Sequence, residues 1–500
     1  MFITLSKIFL LKQAKTLMIR FFKKAYKSHR NSDAAQCEIK APLVDALENF
    51  YKNPMMQFHI PGHTAGSAVH PKFKKLIGER AMLLDTTDEF DNLGTLHPAT
   101  GPIKEAQELA AHAFGAQRTF FLLGGSTIGN LTLAMCMSKK GKKVIVNRNC
   151  HRSILTGMII SGAEPVWILP EKLEEWSLWG EIEPASIEKA LQENDDVAMV
   201  WITNPTYEGV VSNVKEIAKI CKKYDVPLII DEAHGCLWNF NKHLPESSLH
   251  LGADAVVHSL HKTGGSMSQS SMLHITKGSK FDPDEIERTL QLLQTTSPSM
   301  LLMASLDAAR ANLESKRGKK QLSRAIQYAN YVRKKLQKMN GVHALEATEN
   351  YNQDITKVFV RVDGLSGKRL ESILEIDFGI EVESASDIGI LLLINIGNKK
   401  QEIQYLVNAF EKISKAQYSD IYYIENRKHM PMLTPKIVMN PREAYYSEKE
   451  TIPKEDAIGR ISAEVIAECP PGISILLPGE LITEAHLPYL NEYKMLEVIR

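Results

Sequence analysis

No charge of one sign dominates this chain: 60 Lys and Arg stand against 59 Asp and Glu in 500 residues. The global basic footprint that nucleic-acid binding would leave is therefore absent. Cysteine is scarce. The six (Cys37, Cys136, Cys150, Cys221, Cys236 and Cys469) are scattered and form no C-x-x-C pair. That spacing argues against a disulfide framework or a zinc site, and for reduced thiols in a cytoplasmic compartment. No apolar run reaches the roughly 18–20 residues that a membrane span needs, so stable membrane insertion is not expected. Internal repeats and low-complexity tracts are also missing. What is left is the composition of an ordinary globular protein, long enough for two or three domains.

One further absence settles a tempting motif. "DEAH" (231–234) resembles the metal-binding box of a nucleotide-driven helicase. Such a motor also needs a phosphate loop, G-x-x-x-x-G-K-[ST]. Gly-Lys occurs at 141–142, 318–319 and 367–368, never with Gly five positions before or Ser/Thr after. The penicillin-binding reading of "SLHK" (259–262) followed by "KTG" (262–264) fails as well, because one lysine would have to serve both motifs.

The first 32 residues differ from the rest, with eight Lys/Arg and no acid. They read as a transit-like amphipathic segment, a membrane-surface helix or an extension with little role in the fold, with Met18 as an alternative start. The last is favoured.

From about 100 to 275 the chain alternates helical and strand patterns. "IKEAQELAAHAF" (103–114), "IGNLTLAMCMSK" (128–139) and "VKEIAKICKKYD" (214–225) have helical apolar spacing. "RTFFLL" (118–123), "KKVIVNRN" (142–149), "AMVWITNP" (198–205), "VPLIID" (226–231) and "ADAVVHS" (253–259) read as short buried strands. The alternation predicts an α/β fold with a mostly parallel sheet covered by helices on both faces. From about 320 to 415 a long helix (321–340) and two strand-like runs (356–364, 389–397), each followed by a helix, predict a smaller α+β domain. "CPPGISILLPGE" (469–480) in the tail reads as an irregular loop packed on something.

Sheets of this kind bind ligands at the carboxyl ends of their strands, so the polar residues there are the informative ones. "LLGGSTIGN" (122–130) runs from a strand through two glycines to Ser126, Thr127 and a helix start. Helix N-terminal N–H groups and two hydroxyls make a phosphate cradle; an ordinary N-cap is the equally weighted alternative. Asp231 ends one strand. Lys262, 31 residues on, follows the next, flanked by Ser259, His261 and a glycine pair. Phosphate cradle, acid and lysine are the groups that pyridoxal 5'-phosphate needs: one for its phosphate, one for its pyridine nitrogen and one for a Schiff base. His151, after the strand at 142–149, could stack on the ring.

With these residues in place, the chain resembles the bacterial ornithine/lysine/arginine decarboxylases, fold type I pyridoxal-phosphate enzymes, and is most similar to the shorter arginine decarboxylase-like members. The resemblance rests on "FHIPGH" (58–63), "IKEAQELAAHAFGAQRTFFLLGGST" (103–127), "VNRNCHRSI" (146–154), "NPTYEGVV" (204–211), "DEAHG" (231–235), "GADAVVHSLHKT" (252–263), "TTSPSMLLMASLDAAR" (295–310), "PREA" (441–444) and "PPGI" (470–473).

It implies a cofactor-binding major domain over 36–320, a small domain over 321–415 and a C-terminal decarboxylase domain over 416–500, after a basic extension at 1–35. It implies that Lys262 carries the cofactor and Asp231 pairs with the pyridinium. Ala233 would pack on one ring face and His151 on the other. Ser126, Thr127, Ser259 and His261 would hold the phosphate, with His234 at the ring's edge. Thr296 and Ser297, within "TTSP", would reach the neighbouring subunit's site, making a homodimer the minimal unit. The implied reaction is α-decarboxylation of a basic amino acid, arginine to agmatine first and lysine or ornithine next, for polyamine synthesis. Thr64, the "GGST" loop and the region 90–101 depart from the usual pattern, and none removes a group the chemistry requires. The alternatives are an aminotransferase or α-oxoamine synthase-like enzyme, and a catalytically silent regulatory homologue.

Overall fold

The computed structural model describes residues 39–500 apart from 54, 89, 91, 138–141, 349–350, 417–432, 434 and 469–471. The basic extension expected at 1–35 thus lies outside the described residues. The chain divides into a larger unit (41–314, 346–355 and 433–500) and a smaller one (315–345 and 356–416).

Seven short strands of the larger unit share one sheet: β1 (Arg118–Leu122), β2 (Lys143–Asn147), β3 (Glu164–Ile168), β4 (Val197–Thr203), β5 (Leu228–Asp231), β6 (Ala255–His258) and β7 (Ser271–Ile275). Their order is β1-β7-β6-β5-β4-β2-β3. The pairs from β6 to β3 are all parallel. β7 runs antiparallel to both β6 and β1. Six of the seven strands therefore end at the same edge. The mostly parallel α/β sheet read from the sequence is present, and β3 and β7 add to it. β2, β5 and β6 are apolar on both faces because helices leave neither face to water.

Local signals place the turns that matter. Helix α1 (Gly101–Phe114) stops at Gly115, whose φ of 73° lets its N–H return to Ala111 O. Helix α2 (Gly125–Met137) starts directly after β1. Helix α3 (Arg152–Ser161) is capped by the His151 side chain, which accepts from Ser153 N. Helix α4 (Val214–Lys223) buries Val214, Ile217, Ala218, Ile220 and Cys221 and is capped by Asn213.

A polar chain crosses the otherwise apolar core. Glu232 accepts from Ser247 Oγ (2.7 Å) and Ser248 N (2.8 Å) and faces His258 Nε2 at 2.8 Å. His258 Nδ1 meets His274 Nε2 at 3.1 Å, and His274 Nδ1 meets Thr119 Oγ1 at 2.8 Å. β5, β6, β7 and β1 are so linked side chain to side chain. Burial, with His258 beside it, holds the His274 imidazole well below its ordinary value.

The C-terminal stretch of the larger unit has a small core of its own, including Ile466, Leu476, Ile482, Leu490, Leu496 and Val498. Residues Ile473–Leu476, expected as irregular, form a strand paired with Ile466–Glu468. The segment is fastened to the end of β2 by Arg148, which donates to Glu480 at 2.7 and 3.0 Å and to Ile475 O at 2.9 Å. Burial pushes the Glu480 carboxyl up, opposed by Arg148. Breaking a buried pair costs about 3–5 kcal/mol, but the two halves differ. Arg148→Met leaves a carboxyl that can take a proton, whereas Glu480→Gln strands a guanidinium that cannot lose one. Urea unfolding should show Glu480→Gln as the more destabilised variant; the reverse order would refute this reading.

The smaller unit carries a four-stranded antiparallel sheet, in the order Val342–Ala344, Lys357–Val362, Ile390–Leu393, Ser384–Ala385. Helices Lys316–Leu336, Gly367–Phe378 and Lys400–Lys415 complete it, around a core that includes Val332, Val358, Val360, Leu374, Ile390 and Phe410. This is the α+β pattern expected from the sequence.

Candidate active site

At the common strand edge the larger unit has a cleft, half open to solvent, with about 490 Å³ of space that includes its open mouth. Five strand ends supply parts of its wall. Ser126 follows β1. Asn149 and His151 follow β2. Thr203, Pro205 and Tyr207 come from β4 and its turn. Asp231, Ala233 and His234 come from β5, and Lys262 follows β6. Ile473 reaches in from the C-terminal hairpin.

The turn after β1 is built for close approach. At Gly125, φ is +71° and an added Cβ would meet no heavy atom within 4 Å, so the backbone faces open space. At Gly124 a Cβ would strike Ile128 Cγ1 at 2.3 Å. The first-turn N–H groups of α2 have no intrahelical acceptors and leave a partial positive charge there.

Asp231 is 3 % exposed and both its oxygens are engaged. Oδ1 accepts from Ala233 N at 3.2 Å and Oδ2 from Asn130 Nδ2 at 3.0 Å. Lys262 Nζ lies 3.0 Å from His234 Nε2. The His234 ring meets the Tyr207 ring edge-on at 5.1 Å. Burial pushes His151 below the ordinary imidazole value; Asp231 opposes this, and Lys262 and Arg152 add to it. His151 is therefore a neutral, flat ring near pH 7. Its Nδ1 accepts from Ser153 N at 3.2 Å, which leaves the ring proton on Nε2.

Of the residues read from the sequence, Ser126, His151, Asp231, Ala233, His234 and Lys262 line this one cavity. Thr127, Ser259 and His261 stand on the same turns but are not part of its wall. Ser259 Oγ is buried without a hydrogen-bond partner. His261 Nδ1 donates to Ser270 O at 2.8 Å, and burial lowers its pKa. Thr296 and Ser297 lie on an exposed turn and do not line their own chain's cavity. Asn149, Thr203, Pro205, Tyr207 and Ile473 were not singled out from sequence. "NPTYEGVV" and "PPGI" were the only signals near the last three.

These residues fit pyridoxal 5'-phosphate. A carboxylate held at both oxygens suits a protonated ring nitrogen, and a lysine stands across the cavity wall from it. The helix start at Gly125 suits a phosphate. Two buried hydroxyls, Ser259 Oγ and Thr203 Oγ1, have no hydrogen-bond partner among the described residues, as expected of groups awaiting a polar ligand. Among the described residues no cluster of His, Cys, Asp or Glu could hold a metal ion, and no helix is long and apolar enough to cross a membrane.

A mostly parallel sheet with such a cavity at its carboxyl edge defines an α/β enzyme of the fold type I pyridoxal-phosphate class. Within that class the chain belongs to the Orn/Lys/Arg decarboxylase family: the family's major domain matches residues 41–362 and its C-terminal domain 425–499. An arginine decarboxylase of Bacillus subtilis is 37 % identical over 459 residues, covering 90 % of this chain and 93 % of that protein. One from Halalkalibacterium halodurans is 37 % identical over 467 residues, 91 % and 93 % of the two chains. The crystal structure of a Francisella novicida lysine decarboxylase superposes with a TM-score of 0.81 at 20 % identity, covering 93 % of this chain and 82 % of that one.

Proposed function

We propose that the protein is a pyridoxal 5'-phosphate-dependent decarboxylase that converts arginine to agmatine and CO2, with lysine and ornithine as the next candidates. The observation that carries this is the convergence of Lys262, Asp231 and His151 on one cavity from three strand ends. The relatives named arginine decarboxylase, which span nearly the whole chain, favour arginine.

When bound, the cofactor supplies an electron sink for the pair left behind by CO2. The chain's part is to hold and to orient. Lys262 would hold the cofactor covalently, and Asp231 would keep a proton at the pyridine nitrogen. Ala233 and the neutral His151 ring would clamp the two ring faces. Ser126, Thr127, Ser259 and His261 would take the phosphate end. Replacing the carboxyl group by hydrogen requires one proton at the α-carbon, and the Lys262–His234 contact of 3.0 Å can hold and deliver it at Nζ. Pro205, Ala233 and Ile473 supply apolar surface to the cavity wall.

The test is incubation with arginine, lysine and ornithine in turn, with the amine products identified. Agmatine and CO2 in equal amounts, without a keto-acid acceptor, are expected. Turnover that depends on an acceptor would overturn decarboxylation in favour of amino transfer.

The working unit is proposed to be a homodimer, with Thr296 and Ser297 reaching the partner's cavity. Met55, Met56, Phe58, Ile60, Phe73 and Leu76 are all at least half exposed between residues 55 and 76, apolar side chains that a partner surface would cover. Sedimentation should give twice the chain mass, and Phe58→Asp should shift it toward the monomer; a wild-type monomer with full activity would refute this. The four cysteines among the described residues are free thiols, in keeping with a cytoplasmic enzyme whose product feeds polyamine synthesis.

A further inference from the structure

We infer that Asn130 is a positioning residue that sets the Asp231 carboxylate and the His151 ring in one register for the cofactor; the inference rests on the function proposed above. Asn130 is wholly buried in α2. Its amide nitrogen donates twice, to Asp231 Oδ2 at 3.0 Å and to Ser153 Oγ at 2.9 Å. Ser153 Oγ in turn lies 2.8 Å from His151 Nδ1. The direction of this strap is fixed. An amide NH2 can only donate, so the serine oxygen accepts from Asn130 and its proton goes to His151 Nδ1. His151 is thereby held as the Nε2–H tautomer, consistent with its Nδ1 also accepting from Ser153 N.

Packing does not explain an asparagine here. Its Oδ1 is buried with no partner, an arrangement costlier than an apolar side chain of the same size. Both amide protons, by contrast, are used on groups that face the cavity or hold one that does. Asparagine is the short neutral residue that can donate twice. Aspartate at this position could donate once at most, and when ionised would set a like charge against Asp231.

Asn130 also lies four residues beyond Ser126, on the same face of α2. One helix therefore positions both ends of the cofactor: its first turn faces the phosphate and its second the carboxylate at the ring nitrogen. A slip of α2 would move both ends together instead of prying them apart.

The test strips the cofactor from the holoenzyme and titrates it back, following fluorescence quenching from about pH 6 to about pH 8.5. Asn130→Ala should weaken pyridoxal 5'-phosphate binding about 10- to 100-fold at every pH, the size of a lost hydrogen bond to a charged group. Asn130→Asp should bind within about threefold of wild type at the acid end, where a raised pKa keeps it a donor. It should lose tenfold or more as pH rises and it ionises beside Asp231. Ser153→Ala, which cuts only the His151 half of the strap, should fall between wild type and Asn130→Ala. In the reconstituted enzymes kcat should drop while KM for the amino acid holds.

Wild-type affinity in Asn130→Ala, or parallel pH curves for the Ala and Asp variants, would overturn the inference. If Asn130→Ala does not fold, judged by circular dichroism, the pH dependence of Asn130→Asp alone decides: a flat curve overturns it. A wild-type protein that binds no cofactor would instead defeat the proposed function itself.

Discussion

Lys262→Ala is expected to abolish decarboxylation and covalent retention of the cofactor together. The fall in kcat should be about 10⁴-fold or more, because a positioned proton-transfer group alone contributes up to that much and Lys262 is also the proposed covalent anchor. The fold should survive, since Lys262 is only half-buried on the cavity wall and is not part of the apolar core. Borohydride reduction of the wild type, followed by peptide mass analysis, should place the trapped cofactor on Lys262. A trapped adduct on another lysine, or turnover by Lys262→Ala above a thousandth of wild type, would end the assignment.

Asp231→Ala comes next in size. It removes the one carboxylate among the described residues of the cavity wall and takes away the Ala233 N–H's acceptor and one of the two that Asn130 donates to. Loss of one preorganised electrostatic partner costs about 10²–10³-fold in kcat, and cofactor affinity should fall with it. Asp231→Asn keeps the shape but cannot keep a proton on the ring nitrogen, so kcat should fall nearly as far with a smaller loss of affinity. Asp231→Asn with wild-type kcat would show that the carboxylate serves the turn after β5, through Ala233 N, and not the ring.

The parts of this site that could be read from the sequence are those whose signal is local. A short apolar run that stops at a carboxylate is visible at Leu228–Asp231, and a glycine pair between strand and helix is visible at 124–125. The end of one strand and the start of the next function were thus legible one element at a time. β7 (Ser271–Ile275) was not, because Ser271 and His274 interrupt the apolar run that marks a buried strand. Only the fold shows that His274 is paired with His258 and Thr119. β3 was hidden in the same way by Pro165 within Glu164–Ile168; it lies at the sheet edge, where proline is tolerated. Asn130 is unremarked in its own helix, since its partners are 23 and 101 residues away. Ile473 belongs to the cavity through its bridge to His151 and through the Arg148–Glu480 pair, tertiary facts with no periodicity to announce them.

The antiparallel β7 has a consequence for how the molecule is made. β1, which leads into the glycine turn at 124–125, sits at the sheet edge with β7 as its sole strand neighbour among the described residues, and Arg118 pairs with Ile275. A chain growing from its N-terminus must therefore carry β1 unpaired until residue 275 has emerged, a long loop to close. The last wall of the cavity, Ile473, arrives later still. The wall of the cavity is therefore closed only after residue 473 has been made and its strand has paired with Ile466–Glu468.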